Sequence, residues 1–492
     1  MTSDAKETVL PVIGLEIHVE LATATKMFCR CRNHFGDPPN TNVCPVCIGM
    51  PGVLPVINHK AVELSMKVGL ALGCQVPRFT KWDRKSYYYP DLPKNYQISQ
   101  YDLPLNVNGQ LEIPLKDGST KKIRILRAHL EEDAGKNMHN NPDHTSVDLN
   151  RAGVPLLEIV SQPDMNSTED VTTYARAMQR LVRWLGASQA NMQMGHMRFE
   201  PNINIHVTRD GRRYKTPIIE VKNLNSFRAL ENSVRYEIRR QYDQWRADNN
   251  YTLENFPKQN CGYDDATGQT VFQRGKEEAH DYRYFPEPDL VPVMVDEAWR
   301  ESIRATIGEL PLTRRRRYIS EYQLTFKEAD ALTQDPATGN LLDAAVNAGA
   351  EAKRCVNLLL GRGAAIANER GCAIGKIGIA ANQLTELAKL LADGKINATA
   401  AAKVFDRLVA EEGDAETIAK AQGLLAVSDA RAIEEWIDEA MTANPQAAQD
   451  ARTEGKKAKK AFGFLMGQVM QRSRAAAQPA RVQKLLNKRL EL

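Results

Sequence analysis

The hydrophobic pattern of the sequence changes near residue 292, and this change limits the possible folds more than any other feature. Before it, short β-branched segments are separated by Gly, Pro, Asn and Asp, which is typical of an antiparallel or mixed sheet. The predicted strands cover 11–21, 122–130, 202–207 and 216–221. Helical periodicity over 60–72 and 168–185 interrupts them, with Ser167 as a candidate cap of the second helix.

After residue 292 almost every segment has helical periodicity. One helix is predicted over 428–442, with Ser428 as its cap. Its apolar face is formed by Ile433, Trp436, Ile437, Ala440 and Met441. The segment 285–293 contains three prolines and is predicted to be a rigid linker. The sequence therefore predicts an α+β fold in three parts: a mixed or antiparallel sheet domain over 1–292, a helical domain over 293–410 and a small helical tail over 411–492.

Composition excludes several classes of protein. Hydrophobic residues form 42% and charged residues 26% of the 492 residues, near the averages of globular proteins. No apolar run approaches the ~18–20 residues that span a membrane, and the polar N-terminus does not resemble a secretory signal. Eight cysteines are too few for a disulfide-based scaffold and indicate a reducing, cytoplasmic compartment.

Charge is distributed unevenly along the chain. From residue 451 onward there are eleven Lys or Arg and two Glu, a net charge of +9, whereas the preceding 450 residues have a net charge of −5. Such a tail either binds a polyanion or presents a solvated helical face. A helix is predicted over 460–474, with its apolar side on the core of the tail. The basic residues then free to contact phosphates are Lys456, Lys457, Lys459, Lys460, Arg472 and Arg474.

Two close pairs of cysteines form the strongest single motif. Cys29 and Cys31 are separated by twelve residues from Cys44 and Cys47, a spacing that suits four thiolate ligands of a tetrahedral zinc ion. Four cysteine ligands leave no open position on the metal, so the zinc would be structural. The alternative is four ordinary thiols.

Several predicted strands have acidic and histidine side chains on one face. In 14–21, Glu16 and His18 alternate with apolar residues. The same alternation places Glu200 and Glu220 on the polar faces of later strands, and 129–133 adds further acids. Repeated Glu, His and Asn side chains favour a shared basin for Mg²⁺ or Mn²⁺ together with phosphate oxygens. The alternative is a solvated sheet face.

No standard nucleotide-binding motif is present, neither a P-loop nor G-x-G-x-x-G after a strand. The segment 81–101 instead contains five tyrosines, three lysines and one arginine around two prolines. A loop stiffened in this way suits phosphate contacts and base stacking. The alternative is a surface loop with packed aromatic residues.

Eight segments together resemble the B subunit of the bacterial and organellar tRNA-dependent amidotransferases. They run in the family order and cover the chain nearly end to end: 14–21 (GLEIHVEL), 44–51 (CPVCIGMP), 83–100, 129–136 (HLEEDAGK), 148–164 (DLNRAGVPLLEIVSQPD), 220–228 (EVKNLNSFR), 281–290 (DYRYFPEPDL) and 463–470 (GFLMGQVM). The DLNRAGVPLLEIV stretch is the most specific. One segment departs, because 197–205 reads MRFEPNINI where the family more often has MRCDVNIS. Phe199 and Glu200 thus replace a small residue and an Asp.

The resemblance implies that this chain is the kinase half of a larger enzyme with a cradle-like catalytic domain. ATP would phosphorylate the side-chain carboxylate of Glu-tRNA(Gln) or Asp-tRNA(Asn), and ammonia would convert the product to Gln-tRNA(Gln) or Asn-tRNA(Asn). A glutaminase A subunit would supply the ammonia, and a small C subunit would complete a heterotrimer.

Phosphoryl transfer needs mainly positioning and charge neutralisation, and the polar strand faces suit both. The expected ligands of Mg²⁺ or Mn²⁺ are Glu16, His18, Glu131 and Glu158, with Glu200 and Glu220 as further catalytic residues. The expected contacts of the ATP phosphates are Lys85, Tyr87 and Lys94. Two other functions remain open. A non-catalytic tRNA-binding scaffold predicts a basic central face, and a free-standing metal-dependent hydrolase leaves the basic tail unexplained.

Overall fold

A computed structural model of the chain describes residues 7–116, 118–139, 141–275, 279–425, 430–473 and 477–491. They form two compact units, one ending at Leu310 and the other beginning at Pro311. The first unit contains the sheets and the second is helical. The predicted α+β class is therefore confirmed.

One large mixed sheet dominates the first unit. Its strands are β1 (Thr8–Glu20), β5 (Asn106–Pro114), β6 (Thr120–Glu132), β9 (Pro155–Ser161), β10 (Met197–Arg209), β11 (Arg212–Lys215), β12 (Ile219–Lys222), β13 (Gln259–Asp264) and β14 (Gln269–Gly275). Their spatial order is β14-β13-β12-β10-β1-β9-β6-β5, with β11 paired to β10. Only β12 and β13 run parallel among these described pairs. The N-terminal strand thus lies at the centre, between two strands that come much later in the chain.

Smaller strands form three further sheets. They are β2 (Phe79–Thr80), β3 (Asp83–Ser86), β4 (Tyr96–Ser99), β7 (Lys136–Met138), β8 (Ser146–Asp148), β15 (Phe285–Pro286) and β16 (Val293–Met294). The pairings are β15-β3-β4, β16-β2 and β7-β8.

Helices cover one face of the large sheet. These are α1 (His59–Ala71), α2 (Thr168–Trp184) and α3 (Phe227–Ala247), and α4 (Glu297–Arg304) packs beside α1. Leu15 and Ile17 of β1 point into this core and are at most 1% exposed. Because side chains alternate along a strand, Glu16 and His18 lie on the opposite, polar face.

The predicted strands and helices of this unit are confirmed within a few residues. Ser167 caps α2 as expected, because its hydroxyl accepts a hydrogen bond from the backbone N–H of Asp170. The prediction that 285–293 is a rigid linker is wrong. Its two ends pair with β3 and β2, since proline is tolerated at the edge of a sheet.

The second unit contains two hydrophobic clusters. The helices of the first cluster are α5 (Pro311–Glu321), α6 (Phe326–Leu332), α7 (Pro336–Asn347), α8 (Ala352–Leu358), α9 (Ala364–Arg370), α10 (Ala381–Ala392), α11 (Ala398–Ala410) and α12 (Ala415–Ala421), with a π-helical turn over Leu359–Gly363. Those of the second are α13 (Ala430–Ala443), α14 (Pro445–Ala451), α15 (Lys456–Arg472) and α16 (Pro479–Leu490). Domain limits at 292 and 410 stay predictions.

The apolar face predicted over 428–442 is confirmed in α13. Ile433, Ile437 and Ala440 are buried, and Trp436 and Met441 pack against them. Ser428, the predicted cap, lies outside the described residues. None of the helices in the described part of the chain has the length and apolar character needed to cross a membrane.

Candidate active site

Strand register brings polar side chains from distant parts of the sequence into one row. His18 of β1 lies directly opposite Glu158 of β9 on one side and Arg198 of β10 on the other. Glu158 in turn lies opposite His129 of β6. Directly opposed residues in neighbouring strands have Cβ atoms ~4.5–5.5 Å apart, so these four side chains meet on the polar face. A second row begins with Glu16 opposite Glu200.

The first cluster of candidate metal ligands comprises His18, Glu131 and Glu158. The Nε2 atom of His18 lies 3.3 Å from a carboxylate oxygen of Glu158 and 3.7 Å from one of Glu131. Burial alone would lower the pKa of His18, but the surrounding carboxylates of Glu158, Glu200 and Glu131 raise it to about 9. Burial opposes ionisation of Glu158, yet His129, His18 and Lys85 lower its pKa. This cluster therefore concentrates negative charge that needs a cation or a proton.

The second cluster comprises Glu16, Glu200 and Glu220, each offering an oxygen within 4.8 Å of the others. Lys222 forms ion pairs with Glu200 and with Glu220, the latter at 2.8 Å. Burial opposes the charge of this ammonium, but the two carboxylates raise its pKa. Lys222 thus offsets part of the negative charge of this cluster, and Glu200 also interacts electrostatically with His18 and Arg198.

At 199–200, where the sequence differs from the commoner family motif, Glu200 still supplies a carboxylate to the second cluster. Phe199 points into the core, is 1% exposed and packs against Phe227, with ring centroids 5.5 Å apart. Glu200 points the other way and contributes to the second cluster. On the same face, the amide of Asn202 donates a hydrogen bond of 2.9 Å to Glu16.

The two clusters divide the predicted metal ligands differently from the sequence analysis. Glu16 lies with Glu200 and Glu220, whereas His18, Glu131 and Glu158 form a separate group. The roles of all of them stay predictions. The two groups are neighbours, because Glu16 and His18 are two residues apart on one face of β1.

His129 is a site residue that the sequence analysis missed. It is 3% exposed, and its Nε2 atom lies 3.7 Å from Glu131 and 3.8 Å from Glu158. Its Nδ1 atom is buried without a hydrogen-bond partner, as is Nδ1 of His18. The alternation of Arg127, His129 and Glu131 along β6 was the available signal.

Lys85 and Tyr87, two of the predicted phosphate contacts, lie beside the first cluster. Burial opposes the charge of the Lys85 ammonium, but Glu131 and Glu158 raise its pKa. Its Nζ atom also lies 4.9 Å from the ring centroid of Tyr282 and 5.9 Å from that of Tyr87. Tyr282 and its ring neighbour Tyr284 come from the 281–290 segment, so this segment helps to hold Lys85 in place.

Lys94, the third predicted phosphate contact, has other neighbours. Its ammonium pairs with Glu132 and lies 5.3 Å from the ring centroid of Tyr96. Glu132 follows Glu131 along β6, so the two side chains leave the strand on opposite sides. Lys94 and Glu132 line a cavity of about 70 Å³, which we call the knuckle cavity; its wall also includes Phe28, Cys29, Cys47 and Gly49.

The four predicted zinc ligands come together as expected from their spacing. The Sγ atoms of Cys29, Cys31, Cys44 and Cys47 all lie within 4.8 Å of one another. Sulfur atoms around a tetrahedral zinc are about 3.8 Å apart, as follows from a Zn–S distance of about 2.3 Å. The backbone N–H of Cys44 also donates to the Cys47 sulfur at 3.2 Å. The donor set and its spacing therefore fit zinc.

The two acidic clusters fit a harder cation. They offer carboxylate oxygens and one imidazole nitrogen within 4.8 Å. Ligands in an octahedral Mg²⁺ site at about 2.1 Å from the ion lie about 3–4 Å apart, so modest side-chain movement would close either cluster on an ion. Carboxylate oxygen is also the ligand that Mg²⁺ and Mn²⁺ prefer.

Five of the six basic residues predicted to contact phosphates lie on one helix, α15. Lys456, Lys457, Lys459 and Lys460 are exposed in the first turns of α15, which begins four residues earlier than predicted. The apolar side of α15 packs on the second cluster of the helical unit, as predicted. Arg472 lies near its other end, and Arg474 lies outside the described residues.

Comparison with known proteins gives matches over nearly the whole chain. Residues 11–301 match the family model described as the GatB/GatE catalytic domain, and residues 340–490 match that described as the GatB domain. A protein of Rhodopirellula baltica is 44% identical over 486 residues, which cover 98% of this chain and 97% of the relative. A protein of Carboxydothermus hydrogenoformans is 42% identical, and the match covers 97% of this chain and 98% of the relative. A protein of Moorella thermoacetica is 43% identical, with 97% of this chain and 99% of the relative covered. Each of the three relatives is named as the B subunit of an aspartyl/glutamyl-tRNA(Asn/Gln) amidotransferase.

Proposed function

The chain belongs to the GatB/GatE family, and from this premise we propose that it is the B subunit of a tRNA-dependent amidotransferase that activates the side-chain carboxylate of Glu-tRNA(Gln), Asp-tRNA(Asn) or both. The observation that supports this most is the pair of acidic clusters on the polar face of the sheet. A tRNA-binding scaffold would instead need a basic face there.

The proposed reaction has two steps. The γ-phosphoryl group of ATP passes to a carboxylate oxygen of the tRNA-bound amino acid, and ADP leaves. Ammonia then attacks the carbonyl carbon, phosphate leaves and the amide forms. Neither step needs a nucleophile from this chain, which agrees with a site made of carboxylates, imidazoles and lysines.

Each group of residues has a separate task in this proposal. His18, Glu131 and Glu158 would hold one divalent ion, and Glu16, Glu200 and Glu220 a second. Bound Mg²⁺ would neutralise the negative charge that develops on the phosphoryl oxygens. Lys85, fixed between Tyr87, Tyr282 and the first cluster, would contact a phosphate.

Lys94 is the third proposed phosphate contact. Its ammonium is paired with Glu132, so contact with ATP requires that this pair open. The four cysteines would bind one structural zinc ion, which stabilises the loop from Cys29 to Cys47 next to Lys94.

The proposed partners follow from the family. A glutaminase A subunit would supply ammonia, and a small C subunit would complete a heterotrimer. The exposed lysines of α15 would bind tRNA phosphates and add affinity without reading sequence. The free cysteines suit a cytoplasmic location, where thiols stay reduced.

The test is an amidation assay of the co-expressed complex with misacylated tRNAs, glutamine, ATP and Mg²⁺. Glu16→Ala and Glu131→Ala should abolish amide formation on tRNA while leaving glutamine hydrolysis intact, because only the carboxylate-activating half is damaged. Glu63→Ala is the matched control, since Glu63 lies on α1 and pairs with Lys60 outside the site. Amide formation near the wild-type rate in Glu16→Ala or Glu131→Ala would contradict the proposal.

A further inference from the structure

Lys26 is a fully buried lysine beside the four cysteines. Its relative exposure is 0%, and it follows the strand β1 by six residues. Its Nζ atom lies 3.6 Å from the Sγ atom of Cys47 and donates a 3.3 Å hydrogen bond to the backbone oxygen of Leu149. A lysine is almost never fully buried unless its charge is paired.

The buried ammonium of Lys26 therefore needs an anionic partner among the groups that contact it. Among the described residues, no Asp or Glu forms an ion pair with Lys26. The carbonyl oxygen of Leu149 accepts a hydrogen bond but has no net charge. Of the contacts that the ammonium makes with described residues, the sulfur of Cys47 is the one that can be anionic.

The cysteine cluster can supply the missing negative charge when it binds metal. Four thiolates around one Zn²⁺ have a net charge of −2; three of the cysteines are half-buried, but the charge on the buried Cys47 sulfur needs compensation as the ammonium does. Because Cys47 is 5% exposed and Lys26 is fully buried, water screens neither group. The positive charge of Lys26 and the negative charge of the metal-bound Cys47 sulfur therefore stabilise each other when zinc is bound.

We propose that Lys26 is the buried counter-ion of a zinc–tetrathiolate centre, donating an N–H···S hydrogen bond to Cys47 and halving the net charge of the metal site. This inference rests on the proposed zinc ion but goes beyond the four ligands. Lys26 is a positioning residue: it touches a metal ligand and not the reacting atoms of the enzyme.

The surrounding backbone keeps Lys26 in this position. The N–H of Lys26 donates to the carbonyl of Cys31 at 3.0 Å, and the N–H of Met27 donates to the carbonyl of Gly153 at 2.7 Å. Gly153 has a positive φ of +87°, and a Cβ atom there would lie 3.4 Å from Cys47 and 3.6 Å from Lys26. Gly153 therefore packs in van der Waals contact with the Cβ of Cys47 and the stem of Lys26, and the Glu132 carboxylate lies beside the same position.

The experiment compares zinc affinity in full-length wild-type protein, Lys26→Met and Lys26→Gln by competition with a chromophoric chelator. Methionine matches the stem of lysine without its charge, and glutamine retains an N–H donor without the charge. Both variants should lose zinc affinity by roughly 10–100-fold, the usual effect of removing a group that supports a metal ligand. Lys121→Met is the matched control, because Lys121 is a partly buried lysine that pairs with Asp170 and contacts none of the four cysteines.

Cobalt substitution gives a second readout that does not depend on activity. The sulfur-to-cobalt charge-transfer band should move to lower energy in Lys26→Met, because a thiolate without its N–H···S bond and cation is a stronger electron donor. This measurement needs only folded protein, and Lys26→Gln serves if Lys26→Met does not fold.

The outcomes separate the inference from the proposal on which it depends. Wild-type protein without zinc affinity would refute the zinc site itself. Wild-type protein with zinc, but with unchanged affinity in both Lys26 variants, would refute the role of Lys26 alone. Loss of affinity in Lys26→Met but not in Lys26→Gln would also overturn it, since the charge would then contribute nothing.

Discussion

Lys222 provides the sharpest test of the second acidic cluster. The carboxylates of Glu16, Glu200 and Glu220 have oxygen atoms within 4.8 Å of one another. Two unit charges at that distance repel by about 3 kcal/mol at an effective dielectric constant near 20. The Lys222 ammonium, paired with Glu200 and Glu220, offsets part of this repulsion. The substitution Lys222→Met removes the charge and retains most of the side-chain volume.

The size of the effect follows from burial. Removing one partner of a buried ion pair costs ~3–5 kcal/mol. The Lys222 side chain is 31% exposed and that of Glu220 5% exposed, so we expect the free energy of unfolding to fall by about 2–3 kcal/mol in EDTA. A divalent ion bound by the same carboxylates should reverse this loss. Ligand at a hundred times its Kd stabilises the folded state by about 2.7 kcal/mol.

The assay is urea unfolding followed by tryptophan fluorescence, with EDTA or with saturating Mg²⁺ or Mn²⁺. Four of the five tryptophans, including the buried Trp82 and Trp245, lie in the first unit and report its transition. Lys215→Met is the control, because Lys215 is exposed on the neighbouring strand β11 and should change stability by less than about 0.5 kcal/mol. A Lys222→Met protein that is as stable as wild type in EDTA, or that no divalent ion rescues, would refute the reasoning.

Three further predictions concern other parts of the molecule. In EDTA, the carboxylate neighbours of His18 raise its pKa to about 9 despite burial. Protonated His18 should therefore stabilise the folded state fully below the ordinary pKa of ~6.5, and this contribution should be lost as pH rises through about 9. In urea unfolding, His18→Asn should flatten this fall of the free energy of unfolding with pH. Replacing the four lysines in the first turns of α15 by Gln should weaken the binding of charged tRNA. The slope of log binding constant against log salt concentration should fall by up to about 3–4, while glutamine hydrolysis stays unchanged. An unchanged slope would show that these lysines are only solvated. Gly49 has a φ of +69°, and a Cβ atom there would lie 2.5 Å from Lys94. Gly49→Ala should therefore displace Lys94, raise the KM for ATP and lower the free energy of unfolding by about 1 kcal/mol. An unchanged KM would argue against Lys94 as a phosphate contact.

Local patterns in the sequence predict the parts of the fold that depend on neighbours along the chain. Alternation along β1 assigns Glu16 and His18 to a polar face, and Ser167 is recognisable as a cap because capping is a short-range interaction. The cysteine cluster was also predictable, since its four ligands lie on one short segment.

Strand order is what the sequence could not supply. The grouping of Glu16 with Glu200 depends on β1 lying beside β10, which no local pattern reveals. The environment of His129 likewise depends on the pairing of β6 with β9. The ion pair of Lys94 is hidden for a different reason: its partner Glu132 adjoins Glu131, and only the three-dimensional structure shows which cation each of these two acids meets.

The central place of β1 in the sheet has a consequence for synthesis of the protein. Both of its neighbours come late, and Arg198, which faces His18, emerges some 180 residues after it. At ribosomal rates of about 5–20 residues per second, β1 waits roughly ten to forty seconds for its second neighbour. During that time its apolar face, with Leu15 and Ile17, has no finished sheet to join, and transiently exposed apolar surface of this kind makes folding intermediates prone to aggregate.

The same timing would set the order in which the proposed metal ions are acquired. The four cysteines fall within a segment of fewer than twenty residues and could bind the proposed zinc ion while the ribosome is still translating the first unit. The first acidic cluster then needs only β6 and β9 beside β1, whereas the second waits for β10 and β12. A chain released before β10 is made would therefore contain the zinc loop and the residues of the first cluster, but it could hold only one of the two divalent ions that the proposed phosphoryl transfer uses.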